Sequence, residues 1–239
     1  MGWTPPTGTG AHSNPPITPL ANSTRYPLNP QSPDTEQSKT NGEERVTSTE
    51  TEKTQQQPHL TYRTAQPTDV PELVALVNSC YRGDASRNGW TTEADLLGGG
   101  RIDQQSMFAL LENPATTILI AEIDNALVAC CELQRSVNGT YFGMFSVRPT
   151  IQGIGLGRRV LAQAEHTAVQ LWGSRLMRMK VIKQRTELIA WYERRGYTNT
   201  GKTEPFPYGN PALGEPKRPD LAFVELTKEL SPKQPEQQE

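Results

Sequence analysis

Residues 145–161, FSVRPTIQGIGLGRRVL, constrain the chain more than any other stretch. An apolar, strand-like run ends there, Pro149 turns the chain, and Gly153, Gly155 and Gly157 at alternate positions lead into an amphipathic segment of helical period. Glycines carry no Cβ, so the backbone can approach a ligand closely, and the first N–H groups of the helix that follows have no intrahelical partner. A helix start of this kind attracts phosphate or pyrophosphate. The rest of the chain is read by asking which phosphate ligand this is and what chemistry comes with it.

Not all 239 residues are expected to serve that purpose. The apolar fraction is only 34%, with 20 prolines, and the shortfall is concentrated at the start. Residues 1–58 are Thr, Ser, Pro, Gln, Asn and Glu with few large hydrophobes, too few to offset the entropy of ordering them. They read as a disordered low-complexity tail, residues 59–230 as one folded domain, and residues 231–239 as a second disordered tail. No charged start followed by an apolar core suggests a signal peptide, and no run approaches the roughly 20 apolar residues of a membrane span. The expectation is a soluble, cytoplasmic protein by default, with the nucleus left open and no membrane partner.

Cys80, Cys130 and Cys131 are odd in number and lack metal-ligand spacing, and the adjacent pair should point to opposite faces of a strand. Buried small hydrophobes are expected, and no metal. A net charge of −2 without a basic block argues against nucleic acid.

In chain order, a strand is expected at 60–65. Asp69-Val70-Pro71-Glu72 supplies a carboxylate cap with a glutamate three residues on, and Val70, Leu73, Val74, Val77 and Tyr81 keep helical spacing. Residues 81–101 are polar and glycine-rich, a loop containing a short helix that either contacts a substrate or merely connects, with Trp90 plugging the core. A short helix at 104–111 should be capped by Asp103. Strands at 116–122, 126–134 and 140–147, joined by Asp124-Asn125 and Asn138-Gly139, predict an antiparallel meander, because those turn residues tolerate positive φ. Gly157, Val160, Leu161, Ala164, Ala168, Leu171 and Trp172 then mark one helix face ending near Gly173. A strand at 176–182, a helix at 186–195 stopped by Gly196, and strands near 197–203 and 221–226 follow. The last two flank a proline- and glycine-rich loop at 204–218. The fold class is α/β, a mixed α+β sheet with helices on both faces.

Gln152-Gly153-Ile154-Gly155-Leu156-Gly157 resembles the Q/R-x-x-G-x-G/A signature of the GNAT superfamily of N-acetyltransferases. Phe145-Ser146-Val147-Arg148-Pro149 resembles the strand whose backbone pairs with pantetheine in that superfamily, and Trp191-Tyr192-Glu193-Arg194-Arg195-Gly196-Tyr197 resembles its YExxGF helix ending. Dinucleotide and nucleotide loops fit less well. Arg158 stands where a third glycine would be, the run follows a meander rather than opening a βαβ unit, and no Gly-Lys-Ser/Thr is present.

The resemblance implies the GNAT-like fold over about 60–230 and acetyl-CoA as acyl donor. The backbones of Phe145, Ser146 and Val147 are implied to hold the pantetheine arm in a gap between the 140–147 and 176–182 strands. The amides of Gln152, Gly153, Ile154, Gly155, Leu156 and Gly157, with the side chain of Arg158, are implied to hold the pyrophosphate. Tyr192 matches the family tyrosine that protonates the departing sulfur, and a core aromatic is the alternative. Arg185 falls where many relatives have an asparagine on the pantetheine arm.

An acceptor amine of pKa near 10.4 is rarely neutral at pH 7, so a proton acceptor is expected. The family's glutamate on the strand before the glycine loop has no counterpart in 141–147. Glu132, flanked by Cys130, Cys131 and Leu133, is the first candidate, because burial would raise its pKa, and the alternative is a solvated or arginine-paired strand carboxylate. Asp84 and Glu93 are weaker candidates. Tyr81, Arg82 and Trp90 on one loop and Phe206 and Tyr208 on the other are the expected acceptor contacts. The expected activity is direct N-acetyl transfer, without a covalent acyl-enzyme, to a primary amine of a small polar or amino-acid-like molecule, by a monomer or homodimer. Acetylation of protein lysines or N-termini, or acyl-CoA binding without catalysis, are the alternatives.

Overall fold

The computed structural model describes residues 59–210 and 213–231. The tails expected at 1–58 and 231–239 lie outside the described residues, except for Ser231. The elements in chain order are β1 (Leu60–Thr64), α1 (Val70–Tyr81), β2 (Leu97–Gly98), α2 (Gln104–Glu112), β3 (Thr116–Ile123), β4 (Ala126–Ser136), β5 (Gly139–Val147), α3 (Leu156–Trp172), β6 (Leu176–Ile182), α4 (Thr186–Glu193), β7 (Thr198–Pro205), β8 (Glu215–Pro216) and β9 (Ala222–Glu229). Among the described residues they make a mixed sheet of order β1-β3-β4-β5-β6-β9-β7 and a separate β2–β8 pair.

Local chemistry sets the meander. Asp124 and Asn125 sit at φ 50° and 64°, the paired positive values of a two-residue turn whose twist matches that of the flanking strands. The second turn is one residue earlier than expected: Ser136 pairs with Gly139, so Val137 and Asn138 form the loop and Gly139, at φ 106°, opens β5. A Cβ on Gly139 would lie 2.3 Å from the carbonyl oxygen of Leu176, so β6 can lie beside the start of β5 only because this residue has no side chain.

Both faces are covered, as the apolar patterns predict. Val160, Leu161, Ala164 and Ala168 of α3 bury against one face with Cys131 and Leu133, while Leu73, Leu76, Val77 and Cys80 of α1 bury against the other with Cys130. The adjacent cysteines therefore belong to two different cores. Leu171 departs from the expected α3 stripe and is exposed, while Ala168, Val169 and Trp172 around it pack on the core. Asp103 accepts from the Ser106 amide at 2.7 Å to cap α2, and Gly173, at φ 59°, ends α3.

Two expectations fail for identifiable reasons. Asp69 does not cap α1, because residues 67–69 already form a 3-10 turn and its carboxylate is taken by Arg63, at 2.6 and 2.9 Å, and by the Gln66 amide. The loops at 81–101 and 204–218, read from the sequence without any strand, are joined by the β2–β8 pair, Leu97 opposite Pro216 and Gly98 opposite Glu215. Lys217 strengthens the junction, its amide donating to Leu96 O and its ammonium to Ala94 O.

Gly139→Ala combines positive-φ strain with a backbone clash that no side-chain rotation relieves. It should lower unfolding free energy by about 2–3 kcal/mol in denaturant titration, and Asn125→Ala, with strain but no clash, should cost less.

Candidate active site

β5 and β6 pair in parallel only at Thr140–Met177 and Tyr141–Arg178, and then diverge. A bulge in β5 falls at the same place: Cys130 faces Ser146 and Glu132 faces Gly143, which leaves Met144 at φ 47°. Beyond the bulge the Arg148 amide donates to Val128 O of β4, so by the alternation of an antiparallel ladder the backbone groups of Phe145 and Val147 face the gap. The carbonyl of Phe145 accepts from the Tyr81 hydroxyl at 2.8 Å, and that of Val147 from Gln152 Nε2 at 2.9 Å and Cys80 Sγ at 3.3 Å. Phe145 O keeps a second lone pair free, whereas both acceptor positions of Val147 O are taken, so these bonds steady the strand and leave its edge open at the Phe145 carbonyl.

Two cavities meet in the gap. One, of about 240 Å³, runs over the glycine loop between Val147, Gly155, Trp191 and Arg195. The other, of about 420 Å³, lies under the joined loops between Arg82, Arg101, Lys180 and Phe206. Tyr81, Phe145, Arg185, Leu188 and Tyr192 line both.

The first cavity has the features of an anion cradle. Gly153 and Gly155 have φ of 91° and 83°, and a Cβ on either would meet nothing within 4 Å, so their backbone stands open. Gly155 precedes α3 in the left-handed region and no side chain caps the helix, which leaves its first amides facing outward. Gly157 lies 3.5 Å from the Trp191 ring as measured from an added Cβ, so α3 and α4 approach closely there. Arg158 lines the cavity with Arg195, whose guanidinium stacks 3.5 Å over Trp191 and leaves a buried Nε without a partner. Burial, then the charges of Arg194 and Arg158, lower the pKa of Arg195, which marks an excess of positive charge.

The loop members fall differently. The Gln152 side chain turns back to Val147 O, Thr91 Oγ1 and the Trp90 amide and ties the 88–92 segment to the cradle. Ile154 is exposed, Leu156 is in the core, and the Ser146 hydroxyl is buried on Met144 O. Acetyl-CoA fits this set of groups: an open glycine backbone, uncapped helix amides, two arginines and an unzipped strand edge.

On the second side, Glu93 is buried between two arginines. Arg82 binds Oε2, Arg185 binds Oε1 at 2.7 Å, and Arg185 also donates to Thr91 O. Glu93 is thereby unavailable as a base, and Asp84 is exposed beside Arg87. Trp90, expected at the acceptor, lines the cradle cavity instead, because Gln152 holds its backbone there. Phe206 lines the acceptor-side cavity, while the Tyr208 hydroxyl is occupied outside it by Arg218 O and the Leu221 amide.

The Tyr192 hydroxyl makes no hydrogen bond among the described residues although the side chain is buried where the cavities meet. Burial, with Tyr81 adding to it, raises its pKa above the ordinary phenol, so it stays protonated at neutral pH. Glu132 is half-buried behind Gly143 and Tyr141, which form the cavity wall. Burial raises its pKa, opposed by Arg101. The Cys80 thiol touches β5, closer to the glycine loop than sequence distance suggests, but burial pushes its pKa up to about 11 and it donates to a carbonyl, which leaves a poor nucleophile.

Sequence reading missed Arg101, Tyr141, Lys180 and Arg195 as cavity residues. Their only sequence signal is position: Tyr141 and Lys180 flank the splay and Arg195 lies just past α4. No three His, Cys, Asp or Glu side chains among the described residues converge as a metal site, and no described helix is long and apolar enough to cross a membrane.

Comparison with known proteins agrees with this geometry. No match was found among curated protein sequences. The ribosomal-protein-S18-alanine N-acetyltransferase of Escherichia coli is similar in structure, with TM-score 0.53, 15% identity, and coverage of 76% of this chain and 99% of that one. The yncA protein of Salmonella typhimurium, solved with its cofactor acetyl-CoA, gives 0.54, 19%, 74% and 97%. Spermidine N-acetyltransferase from Vibrio cholerae, in complex with CoA and spermine, gives 0.54, 14%, 72% and 95%. At these identities the likeness establishes the fold, and the model of the acetyltransferase (GNAT) family matches residues 71–197, more than half of the 239, so the chain belongs to that family.

Proposed function

We propose that this acetyl-CoA-dependent acyltransferase acetylates the primary amine of a small polar, amino-acid-like molecule by direct transfer. One observation carries the reading: a protonated, unpartnered phenol, Tyr192, stands where the cradle cavity opens into the roofed one. Acetyl-CoA supplies an acetyl group activated as a thioester. The amides at the start of α3, the backbone of Gly153 and Gly155, and the side chains of Arg158 and Arg195 hold the pyrophosphate. Phe145 and Val147 align the pantetheine arm along the free edge of β5, and Arg185 steadies it from the start of α4.

Glu132 accepts a proton from the acceptor's ammonium through a bridging water, since its carboxylate lies behind the cavity wall. As the neutral amine forms its C–N bond and the C–S bond breaks, Tyr192 Oη donates its proton to the departing sulfur and regains one from the nitrogen, which loses its second proton as the amide forms. The β2–β8 pair and the Arg82–Glu93–Arg185 bracket roof the acceptor-side cavity and limit the acceptor's size, which favours a small molecule over a protein chain.

Tyr192→Phe should lower kcat about 100-fold or more in a thiol-release assay while acetyl-CoA affinity by calorimetry holds. An unchanged kcat removes the phenol from the mechanism. Gly155→Glu should weaken acetyl-CoA at least about 10-fold by placing a like charge at the pyrophosphate, whereas Gly155→Ala shares the backbone strain without the charge and should retain most of the affinity. Glu132 must be ionised to accept a proton, so the acid limb of kcat/KM should titrate above the ordinary carboxylate range and vanish in Glu132→Gln. The same raised pKa means that the ionised carboxylate costs the folded state stability. The Gln variant should therefore melt higher at neutral pH, by a margin that shrinks as pH falls through the folded-state pKa. A variant less stable at pH 7 contradicts this.

A further inference from the structure

Charge in the roofed cavity is unbalanced. Arg82, Arg101, Lys180 and Arg185 line it against only two carboxylates, Glu93 and Glu204. Three of the four cations are committed. Glu93 gives one oxygen to Arg82 and the other to Arg185, and Lys180 binds Glu204 at 2.6 Å. The Arg101 guanidinium forms neither an ion pair nor a hydrogen bond with any described residue, and lies 5.7 Å over the Tyr81 ring.

Its backbone is nonetheless fixed. Asn78 accepts from the amides of Arg101 and Ile102 at 2.6 and 3.3 Å and donates to Ile102 O at 2.9 Å. An anchored main chain carrying an uncommitted, half-buried guanidinium, backed by an aromatic ring, is a preorganised anion receptor, because the planar fork matches a carboxylate with two parallel N–H donors. A purely cationic amine would instead enter a cavity whose field repels it.

We infer that the acceptor is an amine bearing a carboxylate next to the reacting nitrogen, and that Arg101 is the side chain that binds that carboxylate. The inference rests on the reading of this cavity as the acceptor site. The charge of Arg101 is felt at Glu132, yet the two form no ion pair, so a ligand's carboxylate and ammonium can address one each. The carboxylate lies on Arg101, and the nitrogen then lies toward Glu132 and the Tyr192 junction. A molecule whose only charges are ammonium groups leaves Arg101 without a partner.

The test is thiol release by the intact chain with acetyl-CoA and a matched panel: free α-amino acids, the carboxamide of each, and spermidine. Free acids should be turned over with kcat/KM at least about 10-fold above their amides, and R101Q should lower the acid reaction about 10- to 100-fold more than the amide reaction, the range of a hydrogen-bonded charge pair, while acetyl-CoA affinity holds. R101K, which keeps the charge but loses the fork, should fall between. Turnover of amides or spermidine at or above the level of the acids overturns the carboxylate assignment and leaves N-acetyl transfer standing, as does an R101Q loss equal for acid and amide. Release from no amine, with acetyl-CoA still bound, overturns the transfer reading and this inference together.

Discussion

The parting of β5 from β6 is the constraint on which the site depends. A parallel ladder that stops after two pairs leaves backbone groups at mid-sheet without partners, a costly arrangement if nothing replaces them. Here Tyr81 from α1 and Gln152 from the glycine loop supply donors to the carbonyls of Phe145 and Val147. The same bonds tie α1 and the glycine loop to the open edge. β6 holds its course because its other side is paired with β9 from Leu176–Glu229 to Ile182–Phe223. The opening is therefore a fixed part of the sheet, with β6, held by β9, as its far wall.

From that opening the division of labour follows. α3 and α4 cover one face and bring the uncapped helix start, Trp191 and Tyr192 to the donor side, while α1 and the 82–101 segment cover the other and bring the arginines. Arg185, at the start of α4, crosses between the two by binding Glu93 and Thr91. Buried ion pairs are weak evidence for stability, since desolvation offsets much of the attraction. Their effect here is geometric: Glu93 orients two guanidiniums at once, and breaking the bracket would free the loop that roofs the acceptor side.

How much was legible in the sequence follows the range of the physics. Asp124-Asn125, Asp103 and Gly173 act within a few residues, and each sits where its own backbone preference places it. The glycine loop is similarly local, since φ and the missing Cβ are properties of its own residues. Asp69 was misread because a partner from β1, Arg63, outcompetes the local amide that a cap would bind. The β2–β8 pair left no trace: two-residue strands have no periodicity, and their partners are more than a hundred positions apart. Tyr208 and Trp90 were placed by residue type alone, and hydrogen bonds to Leu221, Arg218 and Gln152 decide where they sit.

The acceptor side shows why charge must be read in three dimensions. Along the chain, Arg82, Glu93 and Arg101 alternate in sign and look like a solvated loop. Folded, they converge with Arg185 and Lys180 from the far wall, and the two cavity carboxylates are consumed by those neighbours. The balance then turns on which cation has no internal partner, and among the described residues that line the cavity, that cation is Arg101. Glu132 feels its charge from behind Gly143, where burial raises the carboxyl's pKa and Arg101 holds the rise in check. A ligand carboxylate on Arg101 would weaken that restraint, and the ligand's ammonium toward Glu132 would take its place as the charge that keeps the carboxylate ionised.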